Sequence, residues 1–468
     1  MAQLQACHYH GAHALLAEAA ELGSSDEGSL VQARVELGLA SVCREMAQYA
    51  KADALLRHAL EVLEAMEAPD HGRATSGVAD VRAACLDLVG QLRQAQGRYG
   101  QARRALTRAL AIKAELAGPE SAGVAATRML LASVYGAESN YNASEDELEQ
   151  ALAIRRDLFG HDHPLVANTL RHLAFLNFYS FDDYERAESL YEQARDIVLA
   201  SVGTHHAEYA AIINDMALIA SYRHEYDTAS ALLHQALDIR TALFDENHPL
   251  VAAVLNNLGN VHRRLKDFDE AKRYLNAALA IRTQRFGEMH PETARTLHNV
   301  GMLHLYLREY DLAHNLLGRA LEVRSTLLGP NHPEVASDHS ALGSYWLHRK
   351  DLPAAEAALL EALRINKLSL GASHRNVLHN LSALQTVYAT RHDYATGEPY
   401  VQEAVSLACA KFGVEHPRAV RAIKALLRYY SSWLKHVART EPRPSPAELS
   451  AFSAARIRSA LDCLYAAQ

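Results

Sequence analysis

One string returns down this chain at an almost fixed interval. In its full form it reads Gly-x-x-His-Pro-x-x-Ala, followed by an apolar helical pattern. Its histidines are His163, His206, His248, His290, His332, His374 and His416; the first step is 43 residues and every later one is 42. A second marker, an aromatic opening the next helix, falls at Tyr141, Tyr184, Tyr226, Phe268, Tyr310 and Tyr394, with Leu352 in the same register. A long regular period means stacked supersecondary units, each touching only its neighbours. One continuous array then replaces the separate domains that 468 residues would otherwise suggest.

The stretch from His248 to Phe286 shows what the unit is. Val251, Val254, Leu255, Leu258 and Val261 have the spacing of one amphipathic helix. Lys266 and Asp267 interrupt it, and Ala271, Tyr274, Leu275, Ala278, Leu279 and Ile281 begin a second. The unit is two antiparallel helices joined by a tight turn. Gly259, Ala271 and Ala278 sit where the two helices approach closely, so a larger side chain there is expected to cost about 1–3 kcal/mol.

Leu258, Gly259, the aromatic at 268 and the alanines at 271 and 278 resemble the tetratricopeptide repeat. The Gly-x-x-His-Pro loop, and strings such as LNNLG and EAKRYLNAALAIR, are similar to the kinesin light chain subclass over roughly residues 29 to 438. The expected fold is all-α: a right-handed α-solenoid of about nine helix-turn-helix units, with capping helices at both ends. We expect an N-terminal capping helix over 1–28, two divergent units over 29–120 (their aromatics Tyr49 and Tyr99) and seven regular units over 121–415. A C-terminal capping helix over 416–440 follows, then a Pro-rich linker and final helix over 441–468. Ser445, Pro446 and Glu448 form the expected start of that helix, a capping box. Kinesin light chains carry a heptad coiled coil before their repeats. The N-terminus here offers one short helix without sustained heptads, so the chain is not expected to be a kinesin light chain itself.

Composition narrows the function classes. A net charge of −8 argues against a general nucleic-acid binder. The cysteines (Cys7, Cys43, Cys85, Cys409 and Cys463) are scattered and form no CxxC pair, which reads as thiols inside helices in a reducing compartment. The first residues lack a signal-peptide pattern and no apolar run is long enough to span a bilayer, so a soluble, cytoplasmic protein is expected, with no membrane partner.

The seven loop histidines belong to different units, too far apart for one metal. Each is expected at or near a helix cap, bonding across to the adjacent loop, with Ser121 as the earlier equivalent. The cluster His8, His10 and His13 would be a poor metal site on a helix, because i and i+2 face apart. HExxH, GxSxG, Walker and GxGxxG patterns do not occur in a suitable context, and the reading is non-enzymatic, with no cofactor and no metal.

The resemblance implies that one face of each unit's first helix lines a concave groove. Its residues include Asn168, Arg171, His172, Asn214, Asp215, Asn256, Asn257, Asn260, Arg263, Arg264, Arg295, His298, Asn299 and Tyr306. Asparagines can hold a peptide backbone through donor and acceptor together, and arginines can grip carboxylates. In the resembling family this groove takes short acidic peptides. Ser340 with Ala341, and Ser382 with Ala383, replace the asparagine pair in later units. The function expected is a scaffold or adaptor binding an extended or helical segment of an acidic protein partner. The alternatives are a regulator that senses a small peptide or metabolite, and a histidine-based enzyme or metal protein.

Overall fold

The computed structural model describes residues 30–66, 76–181, 183–372 and 374–439, and a few positions between 445 and 458. Among the described residues every regular element is helical. In order these are α1 (Leu30–Glu45), α2 (Tyr49–Met66), α3 (Ser76–Ala95), α4 (Tyr99–Ala117), α5 (Ala122–Ala137), α6 (Tyr141–Phe159) and α7 (Pro164–Leu176), with a π-helical segment at Asn177–Phe181. Then come α8 (Tyr184–Val202), α9 (Ala207–Tyr222), α10 (Tyr226–Leu243), α11 (Pro249–Leu265), α12 (Phe268–Phe286) and α13 (Pro291–Tyr306). The last are α14 (Tyr310–Leu328), α15 (Pro333–Arg349), α16 (Leu352–Leu370), α17 (Arg375–Arg391), α18 (Tyr394–Phe412) and α19 (Pro417–Val437). The expected all-α array of helix pairs is what forms. The N-terminal helix expected over 1–28 lies outside the described residues, as do Cys7, Cys463 and the His8–His13 cluster.

The chain divides into two compact units, Met1–Leu307 with Thr326–Gly329, and Arg308–Ser325 with Pro330–Gln468. In the first unit, α1 to α13 pack in sequence order, each on its neighbours. Its largest core runs from Ala132 to Ile281 and includes Leu170, Tyr191, Ile213, Leu233 and Leu258. In the second, α15 to α19 pack likewise, around Leu359, Leu384, Tyr388, Val405 and Leu426. Close approach within pairs is real: a Cβ on Gly259 would lie 2.5 Å from Leu275 Cγ, and one on Gly343 would lie 2.6 Å from Leu359 Cγ.

Local chemistry places the ends of the helices. All seven loop histidines are N-caps, each Nδ1 accepting from the backbone N–H two residues on, at 3.1 to 3.2 Å. The expected position at the cap is what forms, and the cap bond itself runs from Nδ1 to the histidine's own helix, where it meets the first free donor. The ring also packs on a phenylalanine four residues earlier in Phe159–His163, Phe244–His248, Phe286–His290 and Phe412–His416, with centroids 4.2 to 4.8 Å apart. His290 uses its second nitrogen as well, Nε2 donating to the Glu45 carbonyl at 2.9 Å. The second helices are capped by Asn140, Asp183, Asp267, Asp351 and Asp393. Two residues before the start of eight of the second helices the chain turns through a left-handed residue, which is Gly97 once but Ala47, Ser139, His224, Lys266, Arg308, Lys350 and His392 elsewhere.

The 43-residue step has a physical location. From Asp267 to Asp351 is 84 residues, two regular steps, whereas from Asn140 to Asp183 is 43. The extra residue falls between His163 and Asp183, where the helix widens into the π segment at Asn177–Phe181. An inserted residue absorbed as one wide turn keeps both flanking helices in register. Asn177 satisfies the loosened ladder, its Nδ2 donating to the Leu173 carbonyl at 2.8 Å.

Candidate functional site

The first helices are held by a buried row of cations on the second helices. Lys113, Arg155, Arg240, Arg282 and Arg324 recur in register, and the four arginines are at most 7% exposed. Each reaches toward the helix that follows. Arg155 Nη1 donates to Thr169 Oγ1 at 2.7 Å, Arg282 Nη1 to Thr296 Oγ1 at 2.6 Å, and Lys113 Nζ to Thr127 Oγ1 at 2.9 Å. In the second unit Arg324 Nη1 pairs with the fully buried carboxylate of Asp338 at 2.8 Å. In these four pairs the acceptor lies 14 residues later. Arg240 meets Val254 there and uses the Leu250 carbonyl at 2.8 Å instead. At Asn366 the pair becomes amide to amide, with Nδ2 donating to Asn380 Oδ1 at 2.7 Å. Burial pushes the Arg240 and Arg282 guanidiniums down to about 10, so both remain charged at neutral pH. Sequence reasoning missed this row; its signal was a cation at the repeat period followed 14 residues later by Thr or Asp.

On the first-helix face of the first unit, the expected groove residues bond largely to one another. Asn299 Nδ2 donates to Asn256 Oδ1 at 2.8 Å, and Asn257 Nδ2 donates to Asn214 Oδ1 at 2.9 Å. Asn256 and Asn214 are buried. Asn168 Nδ2 donates to Glu208 at 3.0 Å. Arg171 bridges Glu208 and Asp215, both at 2.9 Å, and burial pushes the Asp215 carboxyl up even beside that guanidinium. A chain of amides and ions thus links α7, α9, α11 and α13, and Glu208 is a member that sequence reasoning did not name. Fewer groups remain open. Arg264 is exposed and, like Asn260, makes no side-chain hydrogen bond among the described residues. Tyr306 is 60% exposed, with the Arg263 guanidinium 5.0 Å from its ring centre. Arg295 is half-exposed and leans on Glu292 of its own helix, and His298 is half-buried.

Among the described residues no group of three or more His, Cys, Asp or Glu is placed to hold a metal ion, and no helix is long and apolar enough to cross a membrane. Cys43, Cys85 and Cys409 are buried free thiols in helices, and burial pushes Cys85 up to about 12.

A family model described as tetratricopeptide repeat matches residues 81–157, 123–200, 208–284, 251–326 and 292–368, more than half of the chain. The chain belongs to the tetratricopeptide repeat family. No curated protein matches it. Among solved structures, these tetratricopeptide repeats are similar to BtubC (BKLC) from P. vanneervenii at 22% identity, covering 50% of this chain and 91% of that one, with a TM-score of 0.41. They are similar to nearly identical TPR-like repeats of Podosopora anserina, named for kinesin light chain, at 22% identity, covering 44% and 97%, with a TM-score of 0.35. They are also similar to a Rap protein complexed with competence and sporulation factor at 16% identity, covering 87% and 99%, with a TM-score of 0.46. These repeats are of the kinesin light chain-like kind.

Proposed function

We propose that this chain is a non-enzymatic interaction scaffold that binds a segment of a partner protein along the first-helix face of its first unit. The observation that carries this reading is the linked row of amides and arginines from Asn168 to Asn299. Paired amides cross-brace adjacent repeats and fix their spacing, so a polar face is held rigid before a ligand arrives, which lowers the ordering cost of binding. The more open groups beside that row are Asn260, Arg264 and Tyr306, with the half-exposed Arg295 next to them on Glu292. They offer guanidiniums and a ring, with Glu292 already paired to Arg295, and favour an acidic segment with an extended or helical backbone. Asn168, Arg171, Asn214, Asn256, Asn257 and Asn299 then act mainly by positioning. Arg263 holds Tyr306.

The test is an array of acidic, basic and neutral peptides probed with the full chain at low and high salt. The expected outcome is selective capture of acidic peptides, weakened by salt and lost on Arg264→Ala with Arg295→Ala while circular dichroism is unchanged. Each arginine that anchors the ligand is worth about 1–3 kcal/mol. Capture without acidic preference, or undiminished in the double variant, rejects the reading.

A further inference from the structure

Fourteen residues after each N-cap of a first helix, the chain carries Tyr135, Asn177, Ala220, His262, His304, Trp346, Tyr388 and Tyr430. Two of the tyrosines show what a ring does there. Tyr388 is 1% exposed and stacks on Tyr400 with centroids 5.4 Å apart. Its hydroxyl donates to Glu356 Oε1 at 2.6 Å, and Arg391, three residues on, donates to Glu356 Oε2 at 2.7 Å. The Tyr430 hydroxyl donates to Glu398 Oε1 at 2.8 Å, and Arg456 supplies the guanidinium at 2.6 Å. Glu356 and Glu398 are each the fifth residue of their helix, α16 and α18. In both places a glutamate on the preceding second helix receives one tyrosine hydroxyl and one arginine.

Around Ala220 the same arrangement is built without the ring. Glu188 is the fifth residue of α8. Arg223 follows Ala220 by three residues, and its Nη1 pairs with Glu188 Oε2 at 3.0 Å. The other carboxylate oxygen of Glu188 accepts from no donor among the described residues. Where the ring would lie there is a cleft of about 110 Å³, lined by Met216, Ile219, Ala220 and Leu232 and by the polar Glu188, Arg223 and Glu225. Dry apolar cavities of about 150 Å³ hold benzene, so an open cleft of this size suits one six-membered ring.

We propose that the cleft beside Ala220 is a binding site for a phenol ring, either the side chain of a partner's tyrosine or a free phenol. The ring takes the place that Tyr388 fills in its own repeat, and the hydroxyl donates to the open oxygen of Glu188. The site is independent of the first-helix face proposed above, since it uses none of those residues.

The experiment titrates the full chain with N-acetyltyrosinamide, N-acetylphenylalaninamide and p-cresol, read by ligand-observed NMR and by thermal shift. The tyrosine amide should bind about tenfold tighter than the phenylalanine amide, because only its hydroxyl can donate to the charged Glu188 oxygen. Ala220→Tyr, which supplies the ring from the chain itself, should keep the helical spectrum and abolish binding. Glu188→Ala should bring the tyrosine amide down to the level of the phenylalanine amide. Tighter binding of p-cresol than of the amide assigns the site to a free phenol; the reverse assigns it to a polypeptide tyrosine. No binding, equal binding of the two amides, or undiminished binding by Ala220→Tyr overturns the proposal.

Discussion

Two repeats in this chain hold a glutamate and an arginine in the same register and differ in whether a ring reaches them. Between α16 and α17, Tyr388 fills the space beside Glu356 and Arg391 and is almost fully buried. Between α8 and α9, Glu188 and Arg223 pair in the same register, but Ala220 leaves the space open. The repeat period therefore fixes which groups can meet, and a single side chain decides whether the chain closes the seam itself or leaves it for something else. Rigid repeats tolerate such a gap because each unit depends only on its immediate neighbours.

The largest test removes the ring where it is present. Tyr388→Ala should cost about 3–5 kcal/mol, the range for truncating a buried aromatic. Both tryptophans, Trp346 and Trp433, lie in the second unit, so the urea midpoint followed by tryptophan fluorescence reads this loss directly. A loss near that of an exposed residue would mean that the ring is not what closes the seam, and the contrast with Ala220 would collapse.

A smaller effect is expected at the paired-helix contact that precedes the filled slot. Gly343→Ala places a methyl 2.6 Å from Leu359 Cγ and should destabilise by about 1–3 kcal/mol, read by the same fluorescence midpoint. The repeat with the open slot already carries Ala217 at that place, fully buried, so its helix pair has accommodated the methyl. A cost below 0.5 kcal/mol (about a third of a tenfold change) would show that the second unit is equally yielding.

Acid should separate the two repeats next. Burial holds the cap His374 down at about 4, and His290 and His332 are also lowered by burial. These histidines cap as neutral rings, so the folded state resists protonation more than the unfolded chain does, whose histidines titrate near 6.5. Their contribution is complete above about pH 6.5 and is lost as pH falls from there toward 4. His374→Asn keeps a good cap that cannot titrate. It should change stability at pH 7.5 by less than about 1 kcal/mol and flatten the decline between pH 6.5 and 4 in the fluorescence-detected midpoint. An unchanged acid slope would remove His374 from the account.

The smallest effect concerns a feature the two repeats share. His224 and His392 both turn the chain with positive φ, 66° and 60°. Glycine carries no Cβ penalty there, so His224→Gly and His392→Gly should each stabilise by about 0.5–1 kcal/mol, seen by circular dichroism and by fluorescence respectively. Opposite signs would show that one histidine makes contacts that outweigh the strain.

Much of this architecture is legible in the sequence because it is local. The helix pairs, the histidine caps and the small Gly259 position follow from residues within a turn of one another, or from the period itself. The cap position was legible, but which donor each ring nitrogen reaches was not, as His290 shows by holding its own helix with Nδ1 and the Glu45 carbonyl with Nε2. The face of amides was legible as a face, but the pairing of Asn299 with Asn256 and of Asn257 with Asn214 was not, since each bond spans 43 residues.

The sequence by itself determined the unit, its length, its helices and its ends, because hydrogen bonds inside a helix and at its caps involve residues at most a few positions apart. Only the tertiary structure decided how neighbouring units are fastened and where they are left open. Arg282 finds Thr296, Arg171 finds Glu208 and Asp215, and Ala220 faces a space that Tyr388 fills elsewhere. Those outcomes depend on side chains that meet only after whole helices have packed, when burial makes each unpaired polar group or missing ring matter.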